Sequence, residues 1–188
     1  MKYKLFLIFF LISFLALSQK ELPNQLTSNY KSINNTGLYI LGGWAASNII
    51  YGGLKVNQTT SEQKYFHQMN IMWNTVNLSL ASIGLINSYR KNLPTNETEF
   101  LKTQLKTERV FLINSGLDIV YISTGFILSN QIENNPQING YGKSLILQGS
   151  FLLLFDGLMY TFNRRNRKIF LSPSLDSTQL NIGVSVRF

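Results

Sequence analysis

Residues 65–85 read YFHQMNIMWNTVNLSLASIGL, with no Lys, Arg, Asp or Glu among them. A helix of about 20 apolar residues is what a bilayer's hydrocarbon core requires. Yet His67, Asn70, Asn74 and Asn77 recur in this stretch at spacings of three and four, and Ala81, Gly84 and Ser88 continue the row. On a helix these residues make one polar-to-small seam, while Ile71, Met72, Val76, Leu78 and Leu80 project elsewhere. The seam must therefore face other helices. The chain has to supply them.

Three more apolar segments do so. Residues 37–56 carry Gly42 with Ala46 and Gly43 with Ser47, small residues four apart that let helix backbones approach closely in lipid. In water so many glycines would each cost about 1 kcal/mol against alanine. After Arg90, Lys91 and Pro94, Asn96 followed by Glu99 resembles a capping box, although that motif normally begins with Ser or Thr. A helix starting near Glu97 is amphipathic at first (Phe100, Leu101, Leu105) and then apolar over residues 110–128. It would be about 50 Å long at 1.5 Å per residue, so its first three turns stand clear of hydrocarbon. A loop rich in Asn, with Pro136 and Gly140, leads to the last segment, residues 141–162. Four such segments joined by short loops predict an all-α fold, an antiparallel four-helix transmembrane bundle over residues 37–168.

Composition agrees. Charged residues make up 14%, against about a quarter in soluble domains. The mean hydropathy is only +0.03, because the connections are rich in Asn, Gln, Ser and Thr. The absence of cysteine excludes disulfides, thiolate metal sites and cysteine nucleophiles, and one histidine excludes a histidine-rich metal site.

The two ends read differently from the middle. Residues 1–18, with Lys2 and Lys4 before an apolar run and with Ala16 and Ser18 before Gln19, have the pattern of a cleaved signal peptide; an uncleaved anchor is the alternative. Residues 19–36 are polar and without period, and read as a leader or loop. In the tail, residues 169–188, Leu180, Ile182, Val184, Val186 and Phe188 alternate with polar residues, the period of a β-strand. One strand makes no barrel, so the tail pairs with another segment or partner or stays loose.

The net charge of +8 includes Arg164, Arg165, Arg167 and Lys168, directly after the last apolar run. That cluster suits contact with anionic lipid headgroups. A nucleic-acid face would need basic residues interleaved with exposed aromatics, so nucleic acid is not an expected partner. The positive-inside rule conflicts with the signal peptide. A cleaved signal puts Arg90, Lys91, Lys102, Lys106 and the Arg164–Lys168 cluster outside, and leaves little more than Lys55, Lys64 and Lys143 inside. Orientation stays open; one escape is an exported water-soluble helical bundle.

Asp118 and Asp156 are the only acids inside the apolar segments. A carboxylate there costs at least about 2.5–3.5 kcal/mol and normally faces the bundle interior with a partner. Asn114 lies one turn before Asp118, and Gln148 lies two turns before Asp156. With the asparagine seam these form an interior set: Asn70, Asn74, Asn77, Asn114, Asp118, Gln148 and Asp156. It serves either to hold the helices in register, to line a small-solute, proton or ion path, or to act as an acid–base pair. No nucleophile, metal-ligand or phosphate-loop spacing supports the last, and no cofactor is implied.

YFHQMNIMWNTVN, NSGLDIVYISTG and QGSFLLLFD resemble the recurring blocks of an uncharacterised bacterial family of small exported four-helix membrane proteins. The likeness runs over about residues 37–162. It implies one shared helical core and brings no activity, ligand or catalytic residue. The resulting expectation is a non-enzymatic envelope protein, in the inner rather than the outer membrane, with lipids and a protein partner or a second copy as its partners.

Overall fold

In a computed structural model, residues 24–130 and 135–171 are described, and they form four long helices: α1 (Asn24–Lys55), α2 (Ser61–Arg90), α3 (Glu97–Ser129) and α4 (Pro136–Leu171). Among the described residues there is no strand. The signal peptide expected at residues 1–18 and the strand expected at the C-terminus lie outside them.

Helix α1 begins at Asn24, well before residue 37, so much of the polar stretch read as a leader or loop is helical. Its polar residues are used: Asn34 bonds with Asn163, and Tyr30 Oη meets Thr107 Oγ1 at 3.0 Å. The start of α3 follows the capping logic with one change. Asn96 Oδ1 accepts the Glu99 N–H at 2.9 Å, while Glu99 Oε2 accepts from Thr95 N at 3.2 Å rather than from Asn96. Pro136 opens α4, where its missing N–H costs nothing, and Asn135 Oδ1 accepts from Gln137 N at 3.0 Å.

Contacts fix the topology. Asn34 meets Asn163 and Trp44 meets Gln148, so α1 and α4 are antiparallel. Glu62 meets Lys143 and Asn70 meets Gln148, so α2 and α4 run parallel. The bundle is thus up-down-up-down. It is not symmetric: α4 packs on all three other helices, and α3 rests on α4 without a comparable interface to α1 or α2.

Close helix crossings are glycine-mediated, but not at Gly42 or Gly43 of α1. A methyl on Gly43 would meet nothing within 4 Å, whereas one on Gly125 of α3 would lie 2.7 Å from the carbonyl oxygen of Gly142 on α4. The backbones of α3 and α4 touch there because neither residue has a side chain.

Burial is inverted along most of the bundle. Asn74 and Gln148 are 0% exposed, while Ile50 and Leu154 are each 65% exposed. The seam of α2 does face inward, with His67, Asn70, Asn74, Asn77 and Ala81 all buried. Met72, Val76 and Leu80 point out. Among the described residues, it is at the end formed by the start of α1 and α3 and the finish of α4, here the stem, that apolar groups form a buried cluster. There Leu26 and Phe100 pack with Tyr30, Ile169 and Phe170. On the α3 stem the inward row is Phe100, Gln104 and Glu108; Leu105, expected on the apolar face, is exposed. By length and composition α3 and α4 are apolar enough to cross a membrane; α1 and α2, diluted by their asparagines, fall short of that measure.

Candidate functional site

The interior polar residues divide into two groups. The first joins α1, α2 and α4 in a closed circuit. Trp44 Nε1 donates to Gln148 Oε1 at 2.9 Å, and Gln148 Nε2 donates to Asn70 Oδ1. Asn70 Nδ2 donates to Asn48 Oδ1 at 2.8 Å, and Asn48 Nδ2 returns to the Trp44 carbonyl at 2.9 Å. Each amide here gives and accepts. Trp44 is held flat on Phe151, ring centroids 4.0 Å apart, which fixes where its N–H points. Because Trp44 and Asn48 are one turn apart on α1, and Phe151 follows Gln148 by three on α4, helical spacing alone delivers all the partners to one layer. A ring of this kind binds three helices and leaves none of its amide nitrogens or oxygens without a partner.

The second group sits between α3 and α4. Asp118 of α3 and Asp156 of α4 are both buried, and their carboxyls lie near enough to act on each other. A hydrogen bond between the two would need a proton held between them. Among the described residues Asp118 Oδ2 has no partner, nor do Asn77 Nδ2 and Asn74 Oδ1 on α2. A buried polar atom left unpaired costs about 1–3 kcal/mol. These atoms are where water, a proton or a small polar solute would find unused capacity. Asn114 is half-buried and belongs to neither group.

His67 is buried with Nδ1 unpartnered, its ring edge-on to Tyr51 and Phe66. Trp73 packs edge-on against Tyr121 of α3 at 4.8 Å. Among the described residues no three His, Asp or Glu side chains are grouped as metal ligands.

The basic cluster after the last apolar run also divides. Arg164, Arg165 and Lys168 are exposed, and Arg164 lies over the Tyr160 ring. Arg167 turns inward and forks onto Glu108, with Nε to Oε1 at 2.7 Å and Nη2 to Oε2 at 2.9 Å. It is therefore taken by the bundle, because an acid buried on α3 demands a partner. Deeper still, Gln104 is fully buried with neither amide atom paired.

Sequence reasoning missed Trp44, Asn48, Asn163, Glu108 and Gln104. For the first two the signal was available, as a Trp–Asn pair one turn apart among small residues. For Glu108 it was the isolated acid four residues after Gln104 on an otherwise basic stretch.

Four antiparallel helices that enclose amides and carboxyls while exposing isoleucine and leucine define a polar-cored helical bundle. The chain belongs to the DUF6992 family, described as a family of unknown function, which it matches over residues 40–157. That span takes in the Trp44–Gln148 circuit and the Asp118–Asp156 pair, and ends before Asn163 and Arg167. No curated protein and no solved structure matches the chain.

Proposed function

We propose that this protein is an exported, non-enzymatic integral membrane protein of the bacterial cell envelope. All four helices span, and the protein serves a structural or partner-binding role. The observation that carries the reading is the inversion of burial: amides fully enclosed, and large aliphatic side chains mostly exposed around the same helices. In water an exterior of that kind would aggregate. In lipid it is the surface a spanning bundle needs, and polar side chains gather between the helices. The closed Trp44–Gln148–Asn70–Asn48 circuit supports a role for the interior in holding the helices together. Retention of the full chain in the membrane pellet through osmotic shock and a carbonate wash is expected; release without detergent would overturn the reading.

A second reading rests on the Asp118–Asp156 pair with its unpaired oxygen: a proton or small-ion path along α3 and α4. Under the structural reading, the double variant Asp118→Asn, Asp156→Asn stays folded and liposomes holding wild type or variant show the same ion and proton leak. A wild-type flux lost in the folded variant favours the path.

Lipids are the first partner, with Arg164, Arg165 and Lys168 at the headgroups; a second protein or a second copy is the other. Orientation can be read directly, because the chain has no native cysteine. Single substitutions Asn92→Cys and Gln58→Cys mark opposite ends of the bundle. Labelling in spheroplasts by a membrane-impermeant maleimide decides between the positive-inside rule, which puts Asn92 in the cytoplasm, and a cleaved signal peptide, which puts it outside.

A further inference from the structure

Because α3 rests mainly on α4, a cleft opens between α3 and the α1–α2 pair at the stem. Its volume is about 540 Å³, within the range of about 300–1,000 Å³ usual for ligand sites. The wall changes character along the helix axis. Lys31, Lys91 and Lys106 stand on three different elements around its upper part, and Leu38, Val110 and Phe111 line it below. Among the described residues none of the three lysines is in an ion pair; Lys31 lies over the Tyr89 ring, 5.6 Å from its centroid. Glu99, the one carboxylate on the wall, is directed at the Thr95 N–H as part of the α3 cap. The change from lysine to aliphatic wall falls where the apolar runs of α1 and α3 begin, at the level of the hydrocarbon boundary.

We propose that this cleft is a binding site for an anionic phospholipid of the surrounding bilayer. The phosphate sits among Lys31, Lys91 and Lys106, and an acyl chain lies over Leu38, Val110 and Phe111. A single class of ligand satisfies both halves of the wall: it must be anionic at one end and apolar at the other. A free phosphate leaves the lower wall uncovered, and a neutral lipid leaves three lysines without a counter-charge in a partly enclosed space. The site rests on the membrane reading and adds selectivity to it, since the exposed arginines of α4 attract any anionic surface whereas the cleft admits one lipid molecule.

The test is lipid retention by the full chain, extracted into detergent from nanodiscs of equimolar phosphatidylglycerol and phosphatidylcholine and analysed by native mass spectrometry. Wild type retains phosphatidylglycerol about tenfold over phosphatidylcholine, a preference that Lys31→Gln, Lys91→Gln and Lys106→Gln together bring to parity. Arg164→Gln, Arg165→Gln and Lys168→Gln together leave it within about twofold. Val110→Trp, which keeps the lysines and fills the lower wall, also loses the bound lipid. Glycerol phosphate, the headgroup without chains, does not displace it. Parity in the wild type, loss in the arginine-cluster variant alone, or displacement by glycerol phosphate overturns the proposal. In each of those outcomes the protein has entered the nanodisc, so the membrane reading stands or falls separately.

Discussion

The stem buries an apolar cluster beside its polar groups, whereas the middle buries mainly amides and carboxyls, although the same helices run through both. At the stem Leu26 and Phe100 are buried, and Lys102, Arg109, Arg164 and Lys168 face outward. Further toward the middle, Asp118, Asn74 and Gln148 are buried, and Leu112, Ile113, Leu117 and Ile119 face outward. A helix has no means of reversing its preference by itself; the surroundings must change. Apolar burial holds the stem as it holds any domain in water. On the proposed membrane reading, aliphatic side chains in the middle gain nothing by leaving a lipid exterior, so close backbone packing and hydrogen bonds between helices hold it instead. On that reading the change of rule marks the boundary between two solvents.

The largest expected effect tests the water-like half. Phe100 is fully buried, in contact with Leu26 and edge-on to Phe170 at 5.5 Å. Phe100→Ala should cost about 3–5 kcal/mol, read as a lowered midpoint of thermal unfolding in detergent. A cost under about 1 kcal/mol would mean that the stem is not a packed core.

The next effect tests the boundary. Leu105 and Ile119 lie on the same helix and are 48% and 55% exposed. If the two rules hold, Leu105→Lys at the stem changes little, whereas Ile119→Lys costs about 2.5–3.5 kcal/mol of membrane insertion. A glycosylation-site insertion assay on the two variants gives the comparison directly. Equal behaviour would erase the boundary.

Much of the middle was legible because its signal is geometric. The α2 seam recurs at three-and-four spacing over more than five turns, and a pattern that long defines a face without reference to any partner. Partner choice was not legible. Gln148 and Asp156 are two turns apart on α4 and read as one face, yet Gln148 bonds to Asn70 of α2 while Asp156 meets Asp118 of α3. The reason is the central place of α4. A helix packed on three neighbours is interior over most of its circumference, so a small change of angle sends a side chain to a different helix. The stem was misread for a related cause. Phe100, Leu101 and Leu105 suggested an apolar stripe; Phe100 is buried, but the inward row goes on through Gln104 and Glu108, and Arg167, far along the chain, explains why an acid belongs there.

The smallest effects separate glue from unused capacity within the middle. Asn70 and Asn74 are neighbours on one seam and equally buried, at 1% and 0% exposed. Asn70 has two partners in the circuit, so Asn70→Leu strands Gln148 Nε2 and Asn48 Oδ1 and should cost about 1–3 kcal/mol. Adding Gln148→Leu should then cost less than its single variant does, because the broken partner is already lost. Asn74 donates to the Asn70 carbonyl at 2.8 Å and, at 3.5 Å, to Asn70 Oδ1, and among the described residues its Oδ1 is unpaired. Replacing it with leucine, close in shape, removes an unsatisfied acceptor from the interior. Asn74→Leu is therefore expected to be neutral to within about 1 kcal/mol, or stabilising. A loss as large as that of Asn70→Leu would show that Asn74 Oδ1 is normally satisfied by a bound water or solute. That result would move the balance from a glued interior toward a hydrated path reaching Asp118.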